Sequence, residues 1–95
     1  MKRFRLVAEA RNARPQAIKP ELERALPGCS IKPVVEGFRI EGAVEGASAR
    51  EANRELLSAL RQIERKTTLR SEWTSGEVVE RFFNYSFRGE GSANG

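Results

Sequence analysis

The start of the chain alternates apolar and polar residues. Residues 3–9, RFRLVAE, place Phe4, Leu6 and Ala8 on one side, and charged residues with Val7 on the other. A period of two is typical of a half-buried β-strand. The pattern therefore predicts a first strand over residues 3–9 with one face toward a core.

The segment after this strand has the spacing of a helix. Pro15 is well placed to begin it, because proline lacks an amide hydrogen that would have no partner in a first turn. Leu22 and Leu26 recur at helical spacing, and the pattern ends at Gly28. Pro20 removes one backbone hydrogen bond, so the first turn is predicted to be kinked or separate from a helix that begins near Pro20.

A second helix is predicted from a defined start. The sequence SARE at 48–51 is a capping box, in which the Ser48 side chain accepts a hydrogen bond from the Glu51 amide and Glu51 reaches back. Apolar residues then recur with a helical period to an end near Lys66. The stripe predicted to face the core consists of Ala52, Leu56, Ala59, Leu60 and Ile63.

Four further strands are predicted from short apolar runs. Residues 29–35 are predicted to form a strand at an edge of the sheet or with a bulge, because Pro33 cannot donate a ladder hydrogen bond. Residues 37–45 follow, and their glycines lack the spacing of a dinucleotide-binding loop, so we interpret them as a bulge or twist in the strand. The segments 67–74 and 77–88 are predicted to form a final hairpin.

The order βαββαββ predicts an α+β fold with two helices packed on one face of an antiparallel sheet. The leading interpretation is a ferredoxin-like sandwich with an added C-terminal strand. A KH-like or otherwise rearranged sheet is the alternative. Residues 1–89 are predicted to form a single domain, which suits a chain of 95 residues, and residues 90–95 a flexible C-terminal tail.

The turn of the final hairpin decides which aromatic side chains are buried. A two-residue turn at Ser75-Gly76 would pair Trp73 with Val78 and expose an aromatic surface beside arginines. A three-residue loop at 74–76 would instead collect the large apolar groups on one face. We expect the three-residue loop, because a shift of one residue moves a strand's side chains to the other face and burial penalises the wrong register. The face collected in this way consists of Leu69, Trp73, Val79, Phe83, Tyr85 and Phe87.

Three apolar residues remain on the other face of the sheet under this register. Val7, Val78 and Phe82 would form a small exposed patch. Such a patch is typical of a contact with a second copy or a protein partner. A structural or adaptor protein that self-associates or docks a partner through the open sheet face is therefore the alternative function.

The composition excludes several kinds of chemistry. The chain has no histidine and one cysteine, Cys29, which argues against histidine-dependent catalysis, structural zinc sites and intramolecular disulfides. We therefore expect no catalytic residues, no metal, no cofactor and no enzyme activity. No apolar run approaches the roughly 18 residues of a membrane helix, so we expect no membrane partner and a cytoplasmic location.

Arginines dominate the polar face of the second helix. Four of them lie within about 80° of one another on the helix wheel, nearly opposite the apolar stripe. Like charges at i,i+4 cost a few tenths of a kcal/mol each, whereas arginine grips phosphate well. A solvated face with partial ion pairing is the competing interpretation. This arginine ridge consists of Arg50, Arg54, Arg61 and Arg65.

A second basic group surrounds the start of the first helix. It consists of Arg11, Arg14 and Lys19, which could hold a phosphate at a helix N-terminus. The loop has no glycine to bring the backbone close to an anion, so an ordinary solvated surface is the competing interpretation. With a net charge of +4, the sequence predicts a small non-enzymatic binding module that contacts RNA or DNA phosphates electrostatically.

Overall fold

The computed structural model describes residues 1–92, and over this range the chain forms two helices and one antiparallel sheet of six strands. The strands are joined in the order β2-β3-β1-β4-β5-β6. The predicted α+β class is confirmed. The elements are β1 (Lys2–Arg11), α1 (Lys19–Ala25), β2 (Ser30–Val34), β3 (Gly37–Gly46), α2 (Ala49–Ile63), β4 (Thr68–Ser75), β5 (Val78–Phe83) and β6 (Ser86–Ser92), with one turn of 3-10 helix at Pro15–Ala17 before α1.

One face of the sheet carries the core. Side chains alternate along β1, so that Phe4, Leu6 and Ala8 are buried while their neighbours point to the other face. Side chains from both helices join the same cluster, which includes Leu22 of α1 and Leu57 of α2. Both helices therefore pack against the same face, and the opposite face of the sheet stays open to solvent.

The helix starts follow the sequence. Proline at the second position of α1 is preceded by the separate 3-10 turn, so the predicted break at Pro20 is present. At α2 the Ser48 Oγ accepts a hydrogen bond from the Glu51 amide at 3.1 Å, as predicted for the cap. The end of α2 differs, because the helix stops at Ile63 and not near Lys66.

The buried side of α2 is rotated from the predicted stripe. Ile63 is 44% exposed, and Ala52 and Ala59 are only half-buried. Asn53 and Leu57 are buried instead, at 1% and 0% exposure. The rotation has a polar cause, since Asn53 turns inward to hydrogen-bond with side chains of β4 and with the turn after β5.

The predicted register of the β4–β5 hairpin is wrong. Ser75 pairs with Val78, so the loop is Gly76-Glu77, and Gly76 adopts a left-handed φ of 61°. Ser71 consequently lies opposite Phe82, which is buried at 1% exposure, while Phe83 points to the open face and is 38% exposed. The two adjacent phenylalanines are thus exchanged relative to the prediction, because the register differs by an odd number of residues.

The predicted strand 77–88 is two strands. Asn84 has a φ of 55°, and its amide donates to the Leu69 carbonyl at 2.7 Å while its Oδ1 accepts from the Leu69 amide at 2.9 Å. These bonds hold a tight turn from which β6 folds back along β5. The element order is therefore βαββαβββ. β6 runs to Ser92, so it takes in the first part of the predicted tail, and residues 93–95 lie outside the described residues.

Candidate nucleic-acid interface

The arginine ridge lies on the outer side of α2. Arg50 and Arg54 are exposed in the first half of the helix, and Arg61 is half-buried in its last turn. Arg65 is exposed but lies beyond the end of α2, in the connection to β4. The structure thus places three of the four predicted arginines on the helix and the fourth just after it.

Two arginines of the ridge lie over aromatic rings of the β5–β6 hairpin. The Arg61 guanidinium is 5.2 Å from the centre of the Tyr85 ring, and its Nε donates to the Thr67 carbonyl at 2.9 Å. The Arg50 guanidinium is 5.4 Å from the centre of the Phe87 ring. Both separations are typical of cation–π contacts. The expected three-residue loop placed both rings on the core face as buried residues, and the alternative turn placed them on the open face, so neither associated them with the ridge.

A small pocket opens between the ridge and the Tyr85 ring. Its volume is about 370 Å³, at the lower end of the roughly 300–1,000 Å³ that small-molecule sites occupy. The hydroxyl groups of Ser58 and Tyr85 are hydrogen-bonded to each other at 3.1 Å on its wall. The pocket is lined by Arg50, Asn53, Arg54, Ser58 and Tyr85, so it combines guanidinium, hydroxyl and ring surfaces.

The ridge arginines form no ion pair with the acids of residues 1–92. Over residues 1–92, no carboxylate lies within 4.0 Å of a guanidinium nitrogen of Arg50, Arg54, Arg61 or Arg65. The partial ion pairing that the sequence allowed is therefore absent from this part of the chain. An uncompensated row of arginines is a favourable position for a polyanion.

A buried polar network lies beneath the pocket. Asn53 Nδ2 donates to the Asn84 carbonyl at 2.8 Å, and Asn53 Oδ1 accepts from Ser71 Oγ at 2.5 Å and from Trp73 Nε1 at 3.3 Å. The network ties the β5–β6 turn to α2, and the residue after Asn84 is Tyr85. Asn53 therefore positions the ring that Arg61 covers. The only signal in the sequence was an asparagine among the apolar residues of a strongly amphipathic helix.

The second basic group does not join the ridge. Arg11 lies at the end of β1 in a depression on the open face with Arg70 and Phe83, and its side chain pairs with Glu9 at 2.7 Å. Arg14 precedes the 3-10 turn and Lys19 begins α1, both exposed. With only seven residues, α1 offers no substantial helix dipole to an anion.

The open face of the sheet carries a larger groove of about 660 Å³. Two of its arginines are paired with acids, Arg39 with Glu9 at 3.4 Å and Arg81 with Glu72 at 3.0 Å. Arg70 lies instead over the Phe83 ring, 5.4 Å from its centre. Val7 and Arg88 also line the groove.

The predicted apolar patch is only partly exposed. Val7 is half-buried in the groove. Val78 is 49% exposed at the β4–β5 turn, but it pairs with Ser75 and therefore lies on the same face as Trp73 and not on the open face. The predicted exposure of Phe82 is wrong, because its side chain is 1% exposed and packs edge-on against Phe87 at 5.4 Å. Phe83 takes the place of Phe82 on the open face. Contact with a second copy or a protein partner through this face stays a prediction.

Burial raises the pKa of the Cys29 thiol. A raised pKa disfavours the thiolate, which is the nucleophilic form. Its Sγ lies 4.0 Å from the Ala43 carbonyl, so the thiol is packed against β3. The surroundings of Cys29 give no support to a nucleophilic role.

A titration of Glu9 followed by NMR is expected to give a pKa below the ordinary value for glutamate. The hydrogen bond from Arg11 is the main cause, and burial opposes it while the charges of Arg11 and Arg39 reinforce it. Because the pKa of Glu9 is lower in the folded protein, its contribution to stability is fully present above the unfolded pKa of about 4.3. This contribution is lost as the pH falls through the lower, folded pKa. Arg11→Ala should raise this pKa. An unchanged titration in Arg11→Ala, as in the control Lys19→Ala, would contradict the pairing.

Comparison of the chain with protein-family models, curated proteins and solved structures found no match. Among the helices of residues 1–92, none is long and apolar enough to cross a membrane.

Proposed function

We propose that this protein is a small non-enzymatic module that binds nucleic acid by contacting phosphates through the arginine ridge. The observation that carries the proposal is the row of ridge arginines without a carboxylate partner among the described residues. Like charges on one helix face are locally unfavourable. A bound phosphate backbone would remove this repulsion and release its own counterions.

Arginine suits this role because its planar guanidinium can donate two parallel hydrogen bonds to one phosphate. The side chains of Arg54 and Arg65 are exposed and free to do so. Contacts of this kind read the backbone and not the base sequence. The proposed binding is therefore strongly salt-dependent and poor in sequence specificity.

The proposed architecture is a ferredoxin-like sandwich extended by β5 and β6. The sheet order β2-β3-β1-β4 and the packing of both helices on one face support it. In this arrangement α2 presents its arginines on one side of the molecule, and the opposite face of the sheet stays uncovered. Two surfaces are then available to a long ligand.

Charge reversal at one ridge position tests the proposal. Arg54→Glu is expected to weaken binding of a fluorescent oligonucleotide at low salt about tenfold or more, and to lower the slope of log K against log salt by about one unit. The Arg54 side chain is exposed and makes no hydrogen bond among the described residues, so the fold should be retained. Fluorescence anisotropy across a salt series measures both quantities.

Lys32→Glu is the matched control, because it makes the same change of net charge at an exposed position of β2. It should reduce affinity much less than Arg54→Glu. Equal losses in the two variants would indicate a general effect of net charge and would remove the ridge from the proposal. If the wild-type protein shows no salt-sensitive binding of the oligonucleotide at low ionic strength, the proposed function is wrong.

A further inference from the structure

Three aromatic side chains of the β5–β6 hairpin each have an arginine guanidinium over the ring. Phe83, Tyr85 and Phe87 are 38%, 43% and 38% exposed. Their partners come from two different elements, Arg70 from β4 and Arg61 and Arg50 from α2. We call these six residues the arginine–aromatic strip: Arg70 with Phe83, Arg61 with Tyr85, and Arg50 with Phe87.

The strip contains more cation–π contacts than a segment of this length usually has. Significant cation–π contacts occur about once per 70–80 residues in proteins, whereas this strip has three such contacts on one hairpin. No carboxylate within residues 1–92 lies within 4.0 Å of Arg50, Arg61 or Arg70. Within this range the positive charges of the three guanidinium groups are therefore not engaged in ion pairs.

Attachment of the hairpin to α2 explains only part of the strip. Phe87 packs on the buried Phe82 and Tyr85 is hydrogen-bonded to Ser58, so two of the pairs also hold β6 against the helix. Arg70 and Phe83 lie on the open face of the sheet, where no helix packs. The Arg70–Phe83 pair therefore does not attach the hairpin to α2.

The strip passes around the β5–β6 turn. Phe83 is the last residue of β5 and points to the open face, and Tyr85 follows two positions later on the side of α2. A register shift between Arg81 and Phe82 leaves Arg88 as an additional residue on β6, and Arg88 lines the groove beside Phe83. Cationic groups therefore lie on both sides of the turn.

We propose that the strip binds single-stranded nucleic acid, with bases stacked on its guanidinium planes and ring edges and with phosphates on Arg88 and on Arg54 and Arg65, the two ridge arginines outside the strip. This inference rests on the proposed function and names its ligand class. Exposed bases stack on aromatic and arginine planes, whereas the bases of a duplex are already stacked on one another. A duplex, which is stiff over roughly 150 base pairs, cannot bend around a turn of this size, but a single strand can.

Binding of matched ligands to two stacking variants tests the inference. The probes are a fluorescent 12-nucleotide oligo-uridine, an oligo-thymidine of equal length and a 12-base-pair duplex, measured by anisotropy at low salt. The wild-type protein should bind at least one of the single strands about tenfold or more tighter than the duplex. Phe83→Leu and Tyr85→Leu should each weaken single-strand binding roughly tenfold, the scale of one lost base stack. Their salt slopes should not change, because no charge is removed.

Three controls separate stacking from stability. Phe83→Tyr and Tyr85→Phe retain the rings and should retain the affinity, whereas equal losses in the leucine variants and these two would overturn stacking. Val35→Ala removes an exposed apolar side chain, 74% exposed, at the β2–β3 turn and should leave binding unchanged. Melting curves of every variant check that each one is folded at the assay temperature.

The outcomes distinguish this inference from the proposed function. Equal affinity for duplex and single strands, together with wild-type affinity of both leucine variants, overturns the inference. If Arg54→Glu still binds oligonucleotides more weakly than the wild type, the proposed function of the ridge is unaffected. Competition by poly-glutamate as effective as that by an oligonucleotide of equal charge also overturns it, since an acidic chain has no bases to stack. Failure to bind any oligonucleotide overturns both.

Discussion

Asn53→Ala is expected to lower the free energy of unfolding by about 3 kcal/mol. The side chain is 1% exposed and makes three hydrogen bonds, to the Asn84 carbonyl, the Ser71 hydroxyl and the Trp73 indole. Removing it leaves buried polar groups without their partners, and each such group costs about 1–3 kcal/mol. Trp73 Nε1 keeps its bond to Ser71 Oγ at 3.1 Å, which limits the loss. The sum is still a large part of the 5–15 kcal/mol that typically stabilises a domain.

Urea unfolding followed by tryptophan fluorescence measures this loss, since Trp73 is itself part of the network. Gln62→Ala is the control, because Gln62 is exposed on the same helix and should change stability by less than about 0.5 kcal/mol. A loss below about 1 kcal/mol for Asn53→Ala would contradict a large contribution of this network to stability. The β5–β6 turn would then not depend on Asn53 for its attachment to α2.

The sequence was sufficient where short-range chemistry decides the structure. Alternation in β1, the break at Pro20 and the Ser48 cap depend on neighbouring residues, and all three are present. The helical period alone placed Arg50, Arg54 and Arg61 on one face of α2. These parts could be predicted because side-chain direction follows directly from the backbone period.

The sequence was insufficient where distant contacts decide between similar local patterns. Phe82 and Phe83 are adjacent and identical in type, so only the register with β4 determines which one is buried. The apolar pattern continues through Asn84, although asparagine is one of the few residues that tolerate a left-handed backbone. That turn creates β6 and brings Tyr85 to α2, and for this reason the aromatic half of the candidate site could not be predicted.

The glycines of β3 illustrate the same limit. A bulge or twist was predicted at these glycines, and the bulge is absent, because β3 pairs with β1 in unbroken register from Gly37 to Gly46. Gly37 and Gly42 instead allow close approach of neighbouring chain segments. A Cβ at Gly42 would lie 2.7 Å from the Cys29 Sγ, and one at Gly37 would meet the backbone of β1. Neither neighbour is close in sequence, so spacing could not reveal either contact.

Gly37→Ala is expected to lower the free energy of unfolding by about 3 kcal/mol, at the upper end of the usual cost of overpacking. An added Cβ would lie 2.0 Å from the Ala10 carbonyl oxygen and 2.9 Å from the Arg11 Cα. These atoms belong to the backbone of a central strand, so they cannot move aside as a flexible side chain could. Relief requires β1 and β3 to separate where Arg11 pairs with Gly37.

Gly91→Ala is the matched control for this prediction. It makes the same chemical change in β6, where an added Cβ would meet nothing within 4 Å. Chemical denaturation of both variants should show a large fall in the midpoint for Gly37→Ala and almost none for Gly91→Ala. Because both substitutions restrict the unfolded chain to a similar extent, the difference between them measures the clash in the folded state. Equal midpoints would mean that the β1–β3 pair is less tightly closed at Gly37 than the structure shows.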